Sequence, residues 1–169
     1  VANTASNGSV TGVAVSAGLT SGTPVEAVQA SGGAHDGGLE IWCIPAPSGT
    51  GTITVTLVGN IAYQSNAILF QNAHQTTPCP TGAENVETDI TTTDPKTMTL
   101  DNVTASDATV AIGANALDGD DPQWTGGGTS TFYNNTSSVN TNAGYRLGVG
   151  SVTIDWGVVG TNQAMAAAR

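Results

Sequence analysis

The chain has 169 residues, enough for one domain with its own core, and only 9% of them are charged. Three Lys+Arg against 13 Asp+Glu leave a formal charge of −10, which excludes nucleic acid and anionic membrane surfaces as partners, because basic residues are what hold both. No apolar run approaches the ~18–20 residues of a membrane-spanning helix, so membrane insertion by a helix is excluded too, and low charge with 22 Gly and abundant Thr, Ser and Asn suits an extracellular β-protein better than a cytosolic enzyme.

In chain order, residues 1–21 form a Gly/Ser-rich leader in which Val13 and Val15 alternate with Gly12, Ala14 and Ser16, a thin strand of small residues. Val1 in place of an initiator Met leaves two readings, a removed leader or a trimmed sequence. Residues 22–169 are expected to form the main domain. Pro24–Ala30 is the next strand, and the Gly-rich run Ser31–Gly38 is a loop whose His35-Asp36 pair is expected to be solvated, not catalytic. Leu39, Ile41 and Cys43 share one strand face. Pro45-Ala46-Pro47-Ser48-Gly49 makes a turn, and Ile53, Val55 and Leu57 then alternate with Thr52, Thr54 and Thr56 as a half-buried strand. Ala67-Ile68-Leu69-Phe70 predicts a more continuously apolar third strand.

Further on, Val86, Thr88 and Ile90 alternate with Glu87, Asp89 and Thr91. After a Thr93–Lys96 turn, Met98 and Leu100 alternate with Thr97, Thr99 and Asp101, so the two runs predict a hairpin. Asp107–Leu117 is a strand with Val110, Ile112, Ala114 and Ala116 inward, followed by strands at Tyr145–Val149 and Ser151–Trp156. The Ala-rich end, Gln163–Arg169, is too short for an independent helix and is read as a final strand. About 10–12 short strands with turn punctuation predict an all-β, antiparallel, jelly-roll-like β-sandwich.

The run E-I-W-C-I-P-A-P-S-G-T-G-T-I-T-V-T-L, then A-I-L-F-Q-N-A-H-Q-T-T-P and later P-Q-W-T-G-G-G, resembles a jelly-roll-like module of extracellular bacterial surface proteins and phage structural proteins. The resemblance runs from about Gly38 to the C-terminus. It implies a surface-exposed, non-enzymatic β-module and names no ligand. Ahead of Q-T-T-P the usual pattern is Gly-Val-Asp, where this chain has Asn72, Ala73 and His74. That pattern also has further strands at its start, where this chain has only its leader.

Several constellations invite chemistry. Cys43 and Cys79 are an even pair, expected to form a disulfide in an oxidising compartment, with two buried thiols as the other reading. Asp118, Asp120 and Asp121 cluster around Gly119 and can be read as an acidic turn or as ligands for Ca²⁺, the one cofactor the sequence suggests. Asn7, Asn102, Asn134 and Asn135 each open an N-x-S/T sequon and are candidate glycosylation sites. Trp124 stands in a Gly-rich loop and is the aromatic best placed to stack on a sugar, whereas the others read as packing residues. No nucleophile–base order, phosphate-binding glycines, zinc spacing or paired carboxylates stand out, so no enzyme is expected.

The expectation is therefore a structural subunit of an extracellular assembly at a cell or virion surface: a fibre, pilus-like filament or virion layer. Its partners are copies of itself. The leader is read either as an ordinary first strand or as a donor strand, with Val10, Val13 and Val15 as the inserted face. The alternative function is a carbohydrate-binding surface module using Trp124, with Ca²⁺ assistance and glycans as partners.

Overall fold

The computed structural model describes residues 2–3, 10–30, 38–58, 63–71, 79, 86–89, 96–100, 103–115, 123–125, 129–135, 140–148, 151–155 and 163–169. Sixteen strands lie among them: β1 (Ala2–Asn3), β2 (Val10–Val15), β3 (Leu19–Thr20), β4 (Val25–Ala30), β5 (Gly38–Cys43), β6 (Ser48–Gly49), β7 (Ile53–Leu57), β8 (Tyr63–Gln64), β9 (Val86–Asp89), β10 (Lys96–Thr99), β11 (Ala108–Asn115), β12 (Gln123–Thr125), β13 (Thr129–Asn135), β14 (Asn140–Leu147), β15 (Ser151–Asp155) and β16 (Gln163–Ala168). Every ladder among them is antiparallel, and the described residues contain no helix. The all-β antiparallel expectation stands. The strand number exceeds the expected one because β1, β3, β6 and β8 are two-residue pairings, too short to leave an alternation in the sequence.

Among the described residues the strands form five sheets. The largest runs β13-β14-β11-β16-β9 and is the middle of the molecule. Ala111 and Ile112 on β11, and Met165, Ala166, Ala167 and Ala168 on β16, are all buried although neighbours along a strand point to opposite faces. Both faces of this sheet are therefore covered. On one, Ile112, Ala143, Ala166 and Ala168 meet Val28, Ala30 and Leu39 from the four-stranded sheet β4-β5-β1-β8. On the other, Ala111, Met165 and Ala167 meet Met98 of β10 and Leu100 just beyond it, with Val103 alongside. β10 belongs to the three-stranded sheet β10-β15-β12, which makes a third layer.

A strand buried on both faces carries no alternation, which explains the Ala-Ala-Ala run at the C-terminal end. Alanine leaves little side chain between layers, so both neighbouring sheets close on β16. Truncating either buried Met, 98 or 165, would open a cavity costing about 2–5 kcal/mol.

Three expectations are corrected. The strands at 86–89 and 96–99 are not a hairpin: β9 pairs β16 inside the central sheet, whereas β10 pairs β15 in the next layer. Their alternation describes a one-face strand but does not choose its partner. The apolar run 67–70 forms no strand, and Leu69 is 69% exposed. Phe70 instead sets its ring edge-on against Tyr145, 5.3 Å away. The alternating strand at 53–57, expected to set one face in the core, lies outside both core clusters with Ile53 42% exposed; among the described residues its ladder is with β2.

Candidate assembly interface at the N-terminal strands

The N-terminal strands make two separate attachments. The first is β1, which lies between β5 and β8: Ala2 pairs with Leu39 and Gln64, and Asn3 with Gly38 and Tyr63. A two-residue terminal strand thus occupies an interior position between strands that come later in the chain. The walls of this slot are held by anchors of their own. On β5, Leu39 is fully buried against the central sheet and Cys43 is disulfide-bonded to Cys79, with Cα atoms 5.6 Å apart. On β8, the buried Gln64 side-chain carbonyl accepts a hydrogen bond from the Thr141 hydroxyl of β14.

The second attachment is an arm formed by residues 10–22 against residues 45–57. Val10 pairs with Leu57, Gly12 with Thr56, Val13 with Val55, Ala14 with Thr54 and Val15 with Ile53. The ladder continues past the end of β2, since Ser16 N–H donates to the Thr52 carbonyl at 2.9 Å and Thr52 N–H donates to the Ser16 hydroxyl at 2.8 Å. Thr50 N–H then donates to the Gly18 carbonyl, Leu19 pairs with Gly49, Thr20 pairs with Ser48, and Gly22 N–H donates to the Pro45 carbonyl at 2.9 Å. From Gly12 to Thr20 the register never shifts.

Two opposed glycines permit this path. Gly18 and Gly49 have φ of 95° and 93°, a region that disfavours side chains, and a Cβ on Gly49 would stand 2.1 Å from the Gly18 carbonyl oxygen. The apolar face of the arm borders an open groove of about 1710 Å³ rather than a packed core; Val13, Val55, Ile41, Leu69 and Phe70 line it among the described residues.

Glu40 lies where the two attachments meet. It is 1% exposed, on the face of β5 opposite Leu39. One carboxylate oxygen accepts the Val10 backbone N–H at 3.0 Å and the other accepts the Trp42 indole N–H at 2.9 Å. A buried carboxylate is costly unless bonded in this way. Its influence reaches Glu26 on the neighbouring strand β4, whose carboxyl is raised above the ordinary carboxylate range first by desolvation and then by the charge of Glu40.

Val10, Val13 and Val15 are thus half-buried on β2, facing Leu57, Val55 and Ile53 of their own chain. Trp124 stands in β12 with Ile154 as its register partner, and Asn134 and Asn135 end β13 opposite Thr141 and Asn140. Asn7, Asn102, Asp118, Asp120 and Asp121 lie outside the described residues, as do His35 and Asp36. Among the described residues no three His, Cys, Asp or Glu come together. The sequence reading missed Glu40. Its signal is a lone carboxylate in the apolar run Leu39-Glu40-Ile41-Trp42, where a strand residue opposite the core face has to be exposed or specifically bonded. No protein-family model, no curated protein and no solved structure matches the chain, so the jelly-roll-like resemblance gains no family behind it.

Proposed function

We propose that the protein is a structural subunit of an extracellular assembly, a surface fibre, pilus-like filament or virion layer, whose copies join by exchanging their N-terminal strands. The observation that carries this reading is the pairing of residues 10–22 along 45–57, together with β1 seated in a slot whose two walls have independent anchors. Such a ladder is equally satisfied by the same strand of a neighbour, since main-chain hydrogen bonds carry the attachment and alternate side chains fit the face. Exchange from head to tail leaves an empty acceptor at one end and an unused arm at the other, and builds an open filament unless the rotation closes a ring.

The connection to the main domain supports the same reading. Only Ser21, Gly22, Thr23 and Pro24 join β3 to β4. A short, Pro-containing link is a natural hinge for strand exchange. The Cys43–Cys79 disulfide supports an extracellular or surface location, where such bonds persist. A jelly-roll-like sandwich belongs to this reading as well, with the four-stranded and five-stranded sheets as its layers and the three-stranded sheet added outside.

The test compares the full chain with one lacking residues 1–16, by light scattering and electron microscopy. Filaments or high oligomers from the first, with soluble folded monomers from the second, are the expected result. Compact monomers from both would overturn the reading.

A further inference from the structure

The arm has a register problem. Residues 10–22 read V-T-G-V-A-V-S-A-G-L-T-S-G, with no large side chain before Leu19. The two-residue slip that sets Val15 against Val55 also sets Val13 against Leu57 and keeps the ladder hydrogen bonds. Gly-rich strands of this kind specify their pairing weakly. Side-chain packing across the arm therefore does not select one register, and the selection must come from fixed points.

Two such points exist. Gly18 occupies a left-handed position, and a two-residue slip would force Ser16 or Thr20 into it. The other lies at the start of the arm, where the register shifts between Val10 and Gly12. A bulge of this kind leaves one residue out of the ladder and re-aims the backbone around it. Thr11 is the residue left out; Val10 beside it, still the register partner of Leu57, turns its N–H to Glu40 at 3.0 Å. The receiver is rigid: Glu40 is almost fully buried on β5, and its second oxygen is occupied by the Trp42 indole.

We infer that Glu40 is the positioning residue that fixes the register of the N-terminal arm by capturing the Val10 N–H beside the bulge at Thr11. The inference rests on the strand-exchange reading only for which copy supplies the arm. The captured group is a main-chain donor, so Glu40 fits the start of this arm whether its own chain or, on the strand-exchange reading, a second copy supplies it. A regular strand, whose N–H groups are engaged in their own ladder, offers it nothing.

The experiment uses paired cysteines in the full chain, read by mass spectrometry of unreduced peptides. Val13→Cys with Val55→Cys reports the register seen here, and Val15→Cys with Val55→Cys reports a two-residue slip. Each pair is placed in the native background, in Glu40→Ala and in Glu40→Gln, which keeps the shape but turns one acceptor into a donor. The expected result is a native-to-slipped ratio that falls at least several-fold in Glu40→Ala and by less in Glu40→Gln. An unchanged ratio overturns the inference, including the case where both cross-links weaken together because the fold is merely loosened. Mixing heavy-isotope and ordinary protein shows whether each cross-link joins one chain or two. Cross-links only within single chains would sink strand exchange while leaving the register ratio readable.

Discussion

The Thr141 hydroxyl on β14 donates to the Gln64 carbonyl on β8, a buried bond between residues 77 positions apart that ties an edge of the four-stranded sheet to the central one. Gln64→Leu keeps much of the volume and removes the acceptor, stranding a buried hydroxyl at a cost of about 1–3 kcal/mol. The loss falls on the wall of the slot that β1 occupies. Chemical denaturation should show the drop, and amide exchange should show Ala2 and Asn3 losing protection more than β11 does. Equal loss at both places would mean that β8 is not a separate wall.

Gly49 tests the arm without touching the core. Alanine there places a Cβ against the Gly18 carbonyl and holds a side chain at a φ of 93°. The left-handed conformation alone costs about 1–2 kcal/mol. Gly49→Ala should therefore raise amide exchange through residues 10–22, while Met98, Ile112 and Met165 stay protected in their clusters. Uniform loss of protection would tie the arm to the core more closely than its pairing implies.

The disulfide and the arm are linked by topology. The acceptor residues 45–57 lie wholly inside the loop that Cys43–Cys79 closes, with a sequence separation of 36, and the arm lies outside it. By the chain-entropy relation a loop of that size is worth about 4 kcal/mol. Cys43→Ser with Cys79→Ser should lower the thermal midpoint and loosen 45–57 first. If the arm ladder keeps its exchange protection in the double variant, the disulfide serves the core and not the acceptor.

The sequence disclosed its local features well and its partnerships poorly. Alternation placed strands at 39–43, 53–57, 97–99, 108–115 and 151–155, and a lack of helix length turned 163–168 into a strand. Pairing was hidden because alternation is the same for every partner, so β9 and β10 looked like a hairpin although each pairs elsewhere. The central place of β16 was hidden for the opposite reason: burial on both faces erases alternation and leaves Met165 among alanines. At the interface, the valines of β2 were legible as one face, whereas Glu40 was not, because the donor it satisfies is a backbone N–H thirty residues away.

The link between β3 and β4 sets the balance between self-pairing and exchange. Four residues separate the strands, and Gly22 is still bonded to Pro45 within that span. Inserting four Gly/Ser residues after Gly22 lengthens the link and lets each arm fold back on its own chain at high effective concentration. Sedimentation should then show a larger monomer fraction at every protein concentration. A larger oligomer fraction would mean that the shortness of the link does not favour exchange.

Glu26 supplies the pH dependence. Its folded carboxyl is raised above its unfolded value by desolvation and by Glu40, so the folded chain binds that proton more tightly than the unfolded one. At low pH both states hold the proton and the residue is neutral in its effect. As pH rises from the ordinary glutamate value of about 4.3 through the raised folded value, the folded state loses stability, and above that the penalty is complete. The side chain as a whole is exposed, so solvent screening keeps the effect small. Glu26→Gln carries no proton to lose. It should match the parent chain in acid and exceed it at neutral pH, in thermal melts run across that window. A parent chain that gained stability relative to Glu26→Gln as pH rose would reverse the sign and place a cation, not Glu40, beside Glu26.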